Sequence, residues 1–374
     1  MSRMKPICAK SAAALALAAF ASAPALAGEF DVVNLVTDDQ SAHAAQITDP
    51  GLVNAWGVSY APAGPFWVSS NGAGTSTLYS VNPLTQATSI VPLVVSIPGA
   101  GNPTGQVFNS LGAGHFNGAP FLFVSEDGTV SGWTSGSAAA PISTLSAVFK
   151  GAAFGAISGN GYLYAADFHN GAIDVFKSNI GAPVLTGTFS DPNLPKGYAP
   201  FNVQNLDGTL YVAYAKQDAE KFDEVAGAHK GFVDSYDLQG NFLGRVASRG
   251  PLDAPWGLAI APTSFGAWAG ALLVGNFGDG RITAYDRSTH ALLGQVLGSD
   301  GNVLSIDGLW GITPGNDGSA GSSHLLYFTA GPDGESHGLF GVLTSAVPEP
   351  SSLALLGAGL FAVGAIARRR QQQG

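Results

Sequence analysis

From about residue 50 to residue 345, short apolar runs alternate with polar, glycine-rich turns. Runs of this length between turn residues predict strands, and no long apolar pattern of 3.6-residue period interrupts them, so helices should be few. The runs recur in one phrase: a tryptophan-glycine-aliphatic start, an apolar run, a turn, a second run, a polar turn and a third run. The clearest copy is Pro255-Trp256-Gly257-Leu258-Ala259-Ile260, then Ala271 to Asn276, then Arg281 to Asp286. Further copies begin at Ala55-Trp56-Gly57-Val58 and Leu309-Trp310-Gly311-Ile312.

In the first copy, Val53 to Tyr60, Phe66 to Ser69, Thr77 to Val81 and Ile90 to Val95 predict four antiparallel strands. Degenerate copies start at Gly105-Gln106-Val107-Phe108, at Phe154-Gly155-Ala156-Ile157 and at Phe201-Asn202-Val203. Six starts spaced roughly 45 to 55 residues apart fit a six-bladed β-propeller, an all-β fold. Asn160-Gly161, Asp207-Gly208 and Asp279-Gly280 supply hairpin turns, where glycine accepts positive φ without a Cβ clash. A β-sandwich rarely needs so many strands, and a β-helix has a shorter period. The sixth copy runs straight into the C-terminal tail and lacks a fourth strand. The N-terminal run Asp31 to Val36 is the natural candidate to supply it and close the ring.

The two ends read differently from the body. Residues 1–27 have the form of a secretory signal peptide: Arg3, Lys5 and Lys10, then apolar Ser11 to Ala23, then the small residues Ala25 and Ala27 of a cleavage site. The body is expected at residues 28–346. Residues 347–374 open with Val347-Pro348-Glu349-Pro350, continue as an apolar segment at about 351–367 and end with Arg368-Arg369-Arg370. At about 1.5 Å per residue the apolar segment spans about 25 Å, close to a ~30 Å hydrocarbon core, so it predicts a transmembrane helix with the arginines cytoplasmic. An ordinary tail anchor or a buried helix is the plainer alternative.

This tail resembles the PEP-CTERM sorting signal. The resemblance implies passage through the export machinery, transient anchoring in the inner membrane, recognition by an exosortase-type membrane protease, and release to the cell surface or the exterior. It also suggests bacteria that make exopolysaccharide, with extracellular polysaccharide as a possible partner. Tyr162 to Asp167 with Asn170 to Phe176, and Leu273 to Asn276 with Gly280 to Tyr285, resemble NHL-type propeller repeats. The whole body looks like a family of exported bacterial proteins that bear the same tail, from which no activity carries over.

Charge narrows the partners. The chain carries a formal −10, and six of its 16 basic residues lie at the ends, which leaves the body near −16 when those six are removed. Such a body excludes nucleic acid, whose phosphates need a basic surface. Cys8 is the only cysteine, so no intrachain disulfide forms.

In a propeller, the loops entering the innermost strands share one face with the loops between second and third strands. That face should collect Asn54, Asn102, Asn202, Asp253 and Asp307 from the first set. The second set adds Asn71, Glu126, Asp127, Asp167, His169, Asp218, Asn276, Asp279 and Asp333. Converging oxygens of this kind suit calcium, with Asn202, Asp253 and Asp307 as candidate ligands. The alternative is that Asn and Asp cap their own turns. Trp56, Trp256 and Trp310 either line a sugar-binding channel or pack between blades. The loop Lys216 to Gly231 is the most charged stretch and falls between the second and third strands of the fourth copy. It should hang over the same face, with Lys216, Asp218, Asp223 and His229 as candidate ligand contacts beside Asp167, His169, Asn276 and Asp279, and with little weight in stability. There is no His-Glu-x-x-His pair or phosphate loop. Two functions fit: a surface-sorted propeller that binds or scaffolds, or a calcium-assisted hydrolase or lactonase using the acidic face.

Overall fold

The computed structural model describes residues 29–346. The expected signal peptide with Ala25 and Ala27, and the sorting tail with its membrane helix at about 351–367, lie outside the described residues. Among the described residues no helix is long and apolar enough to cross a membrane.

Six sheets form a six-bladed β-propeller. Their innermost strands are Ala55–Ser59, Pro103–Phe108, Phe149–Ile157, Tyr198–Leu206, Pro255–Ile260 and Leu309–Pro314. Each packs against the next around the axis, and the sixth packs against the first. The N-terminal strand Glu29–Thr37 closes the ring. It pairs antiparallel with Leu339–Ser345, from Phe30 opposite Ser345 to Thr37 opposite Leu339, and so becomes the fourth strand of blade six. Closure removes two sheet edges that would otherwise face solvent.

The core is divided among the blades. Each of the six seams holds its own apolar cluster, for example Trp67, Phe121 and Phe123 between blades one and two, and Tyr164, Val212 and Tyr236 between blades three and four. A seventh cluster lies on the axis and contains Trp56, Trp256, Trp310, Phe168 and Phe201. The tryptophans therefore pack, but against each other across the axis rather than in the seams. Trp56 stacks on Trp310 with ring centroids 3.6 Å apart.

The glycine after each tryptophan is required by close backbone approach. A Cβ on Gly57 would lie 2.3 Å from the Thr104 carbonyl oxygen, and one on Gly257 2.8 Å from that of Trp310. Gly105 and Gly151 make the same approach to blades three and four. This corrects the third copy of the phrase. Its start is not Phe154-Gly155, which lies near the end of Phe149–Ile157, but Lys150-Gly151. The apolar side chain expected before the glycine is a lysine there, which hid the true register.

Blade three also lacks a fourth strand. The chain after Ala172–Lys177 carries Pro183, Pro192 and Pro195, which cannot donate to a ladder. It crosses to blade four instead, where the Gly187 and Phe189 amides bond the Gln239 and Gly240 carbonyls.

Candidate functional site

The face that collects the entering loops holds one buried polar centre. Lys150 occupies the tryptophan position of its blade, so its side chain lies at the axis among indoles. It is 1% exposed. Its ammonium donates to Glu126 Oε1 at 2.5 Å and to Asp223 Oδ1 at 2.9 Å. It also lies over the rings of Trp56 and Phe222, at 5.3 and 5.0 Å from their centroids. Burial pulls its pKa down, but Glu126 and Asp223 outweigh that and the net shift is upward, so the cation persists.

A chain of side-chain bonds extends from this lysine. Asn71 donates to Glu126 Oε2, Asn54 donates to Asn71 Oδ1 and to Glu335 Oε2, and Trp310 Nε1 donates to Asn54 Oδ1. Burial raises the Glu335 carboxyl, opposed by Lys150. Five blades thus supply one network, each from the start of an inner strand or the loop after a second strand.

The charged loop, residues 217–230, covers this centre. Asp223 and Glu224 reach down from it, and burial pushes the Glu224 carboxyl up to about 7 against the pull of Lys150, with Glu335 and Asp223 adding to the rise. The loop is also tied at its base. Asp253 Oδ1 accepts from the Gly227 amide, Gln217 donates to the Phe168 carbonyl, and His229 Nδ1 bonds the Gly250 carbonyl.

The remaining predicted residues scatter. Asp218 accepts from the Phe222 amide inside the loop, and Lys216 lies over the Tyr198 ring. Asp167 accepts from the amides of Val148 and Asn170, while His169 Nδ1 meets the Lys221 carbonyl. Asn276 donates to Asp279 Oδ1, which also accepts the Arg281 amide. Of the three candidate metal ligands, Asn202 donates to the Trp256 carbonyl, Asp253 holds Gly227, and Asp307 accepts the Asp333 amide. Each has its own separate partner. Among the described residues no group of three or more His, Cys, Asp or Glu is placed to hold a metal ion. Lys150 and Glu335 were not anticipated. The signal for Lys150 was present, because Lys150-Gly151 aligns with Trp56-Gly57 once the strand is known.

The pH dependence of the loop follows from Glu224. A carboxyl whose folded pKa exceeds its unfolded value gives stability that is complete below the unfolded value and is lost as pH rises through the folded one. Between about pH 4.5, the ordinary carboxyl value, and about pH 7, charging of Glu224 should loosen the loop. Trypsin cleavage after Lys221, normalised to a free peptide of the same sequence, should accelerate over that range. Glu224→Gln should abolish the acceleration, and a pH-independent wild-type rate would refute it.

The opposite end of the channel is open. A cavity of about 420 Å³ is lined by Ser59, Tyr60, Gln106, Phe154, Gln204 and Asn205, among others, with Asp207 as its one carboxylate. Gln106 is held by bonds to the Gly57 and Trp67 carbonyls and to Ser76, and Tyr60 donates to the Pro314 carbonyl. Gln204 is half-buried and also lines the narrower neck above, with Asn202 and Leu258.

Fold and termini together define the class. This is a six-bladed β-propeller, and its residues 346–371 match the PEP-CTERM protein-sorting motif, which implies export, surface sorting and exosortase-type processing. Two uncharacterized proteins of Acanthamoeba polyphaga mimivirus are each 32% identical, covering 83% of this chain and 79% and 85% of their own lengths. The chain belongs to the same family as these two proteins. Among solved structures, the soluble aldose sugar dehydrogenase of Escherichia coli superposes with a TM-score of 0.50 at 13% identity, over 85% of this chain and 100% of that one. Virginiamycin B lyase from Staphylococcus aureus gives 0.43 at 12% identity, over 84% and 99%. These likenesses concern the fold.

Proposed function

We propose that this protein is a surface-sorted binding module that takes a neutral saccharide in the open mouth of its central channel. The observation that carries the reading is the cavity of about 420 Å³, within the roughly 300–1,000 Å³ usual for ligand sites. Its lining combines the Gln204 amide and the hydroxyls of Ser59 and Ser110, which pair with sugar hydroxyls, with the aromatic residues Tyr60, Phe108 and Phe154. A wall with a single carboxylate, on an acidic body, suits an uncharged ligand better than an anionic one. An exported, surface-sorted protein would meet such a ligand in an extracellular polysaccharide matrix. The rival reading, a calcium-assisted hydrolase or lactonase, has no comparable support, since its candidate ligands each hold separate bonds.

The test is calorimetric titration of residues 28–346 with neutral oligosaccharides and with a uronate oligomer as the charged control. Saturable binding of a neutral member is expected, weakened roughly fivefold by Gln204→Leu through loss of one hydrogen-bonding partner. Binding unaltered by that substitution, or none across the panel, would sink the proposal.

A further inference from the structure

The two ends of the channel are unlike each other. One is open and almost uncharged; the other is shut by the charged loop over a buried ammonium. Two features at the shut end remain unexplained by folding alone. First, Asp223 is the only loop carboxylate bonded to Lys150, yet its side chain is 62% exposed, whereas Glu126, the lysine's other partner, is 10% exposed. Asp223 is bonded on its inner side and wet on its outer side, as a replaceable group would be. Second, Trp56 is 2% exposed and its indole N–H has no hydrogen-bond partner. The neighbouring indoles do have partners: Trp256 Nε1 donates to the Lys150 carbonyl and Trp310 Nε1 to Asn54, both at 2.8 Å. An unmet buried donor costs roughly 1–3 kcal/mol, and here it belongs to the ring on which the Lys150 ammonium rests.

We propose that the charged loop is a lid over a second binding site, in which Asp223 stands in for the carboxylate of a ligand. When the lid lifts, Lys150 loses one partner but stays anchored by Glu126. A ligand carboxylate then takes the place of Asp223 on the ammonium and offers a further oxygen to the Trp56 N–H. Glu224 leaves with the lid, and Glu335 stays held by Asn54. At the ammonium itself one bonded carboxylate is exchanged for another. Phe222, whose ring the Lys150 ammonium also faces, is 42% exposed and leaves with the lid. The site needs no contribution from the open mouth and stands independently of the saccharide reading.

The experiment uses the folded body, residues 28–346, with glucuronate as the probe and glucose as its uncharged counterpart. Lys150 is followed by reductive methylation and mass spectrometry, which separates this site from any sugar bound in the mouth. In the wild type Lys150 should label slowly. In Asp223→Asn, whose lid has lost its charged latch, it should label at least tenfold faster, and glucuronate but not glucose should protect it. Trypsin cleavage after Lys221 should rise in the same variant. Glucuronate affinity should be at least tenfold higher in Asp223→Asn than in wild type, and lost in the double variant with Lys150→Met. Should the double variant not fold, protection of Lys150 in the single variant decides the question. Equal labelling of wild type and Asp223→Asn, or equal protection by glucose and glucuronate, would overturn the proposal.

Discussion

A body that begins at Asp38, lacking Glu29–Thr37, should not fold. That strand contributes Phe30, Leu35 and Val36, each at most 1% exposed, to the seams on both sides of blade six. At about 1.5–3 kcal/mol for each buried side chain, their loss removes about 5–9 kcal/mol. The whole stability of a typical domain is about 5–15 kcal/mol. The deletion also strips the outer ladder of Leu339–Ser345 and leaves an open edge, which invites aggregation. The check is soluble yield and a thermal melt of residues 38–346 beside residues 28–346. Adding the strand back as a peptide should restore a cooperative transition. A truncated body with an unchanged melt would show that blade six does not need its fourth strand.

The second large effect is expected at Lys150. Lys150→Met should destabilise the body by about 3–5 kcal/mol, because it leaves Glu126 as a buried carboxylate without its cation. The apolar stem of methionine fits the same space, so the cost is electrostatic and not a cavity. Adding Glu126→Gln should recover most of the loss, since the glutamine is uncharged and its amide oxygen still accepts from Asn71. Urea unfolding of the wild type and the three variants forms a double-mutant cycle. A single variant within about 1 kcal/mol of wild type would mean that water reaches Glu126 and that the centre is not dry. The charged loop, expected from its length alone to weigh little in stability, is tied to this centre through Asp223.

Much of the fold was legible because it repeats. Trp56-Gly57, Trp256-Gly257 and Trp310-Gly311 each place a large ring at the axis and a glycine where the next inner strand presses in. Position in the repeat then placed the charged loop, expected at Lys216 to Gly231, on the face of the entering loops, where the structure has it at residues 217–230. Turn-forming Asp residues that bond their own neighbourhoods, such as Asp167 and Asp279, were visible as acidic but not as occupied. Backbone amides claim a carboxylate locally, and sequence does not show which carboxylates are left over.

What the sequence determined by itself is periodic: six blades, their register in five of six cases, the closing strand, and the sorting motif at the C-terminal end. Local apolar alternation and turn chemistry are short-range properties, and they survive in a linear reading. The functional centre is different in kind. Lys150, Glu126, Asn54 and Glu335 come from four blades and lie up to 281 positions apart, as in the bond from Asn54 to Glu335. Only closure of the ring brings them to one axis. It also decides which end of the channel the indoles seal and which end stays open, because that depends on side chains meeting across the centre and not on neighbours along the chain.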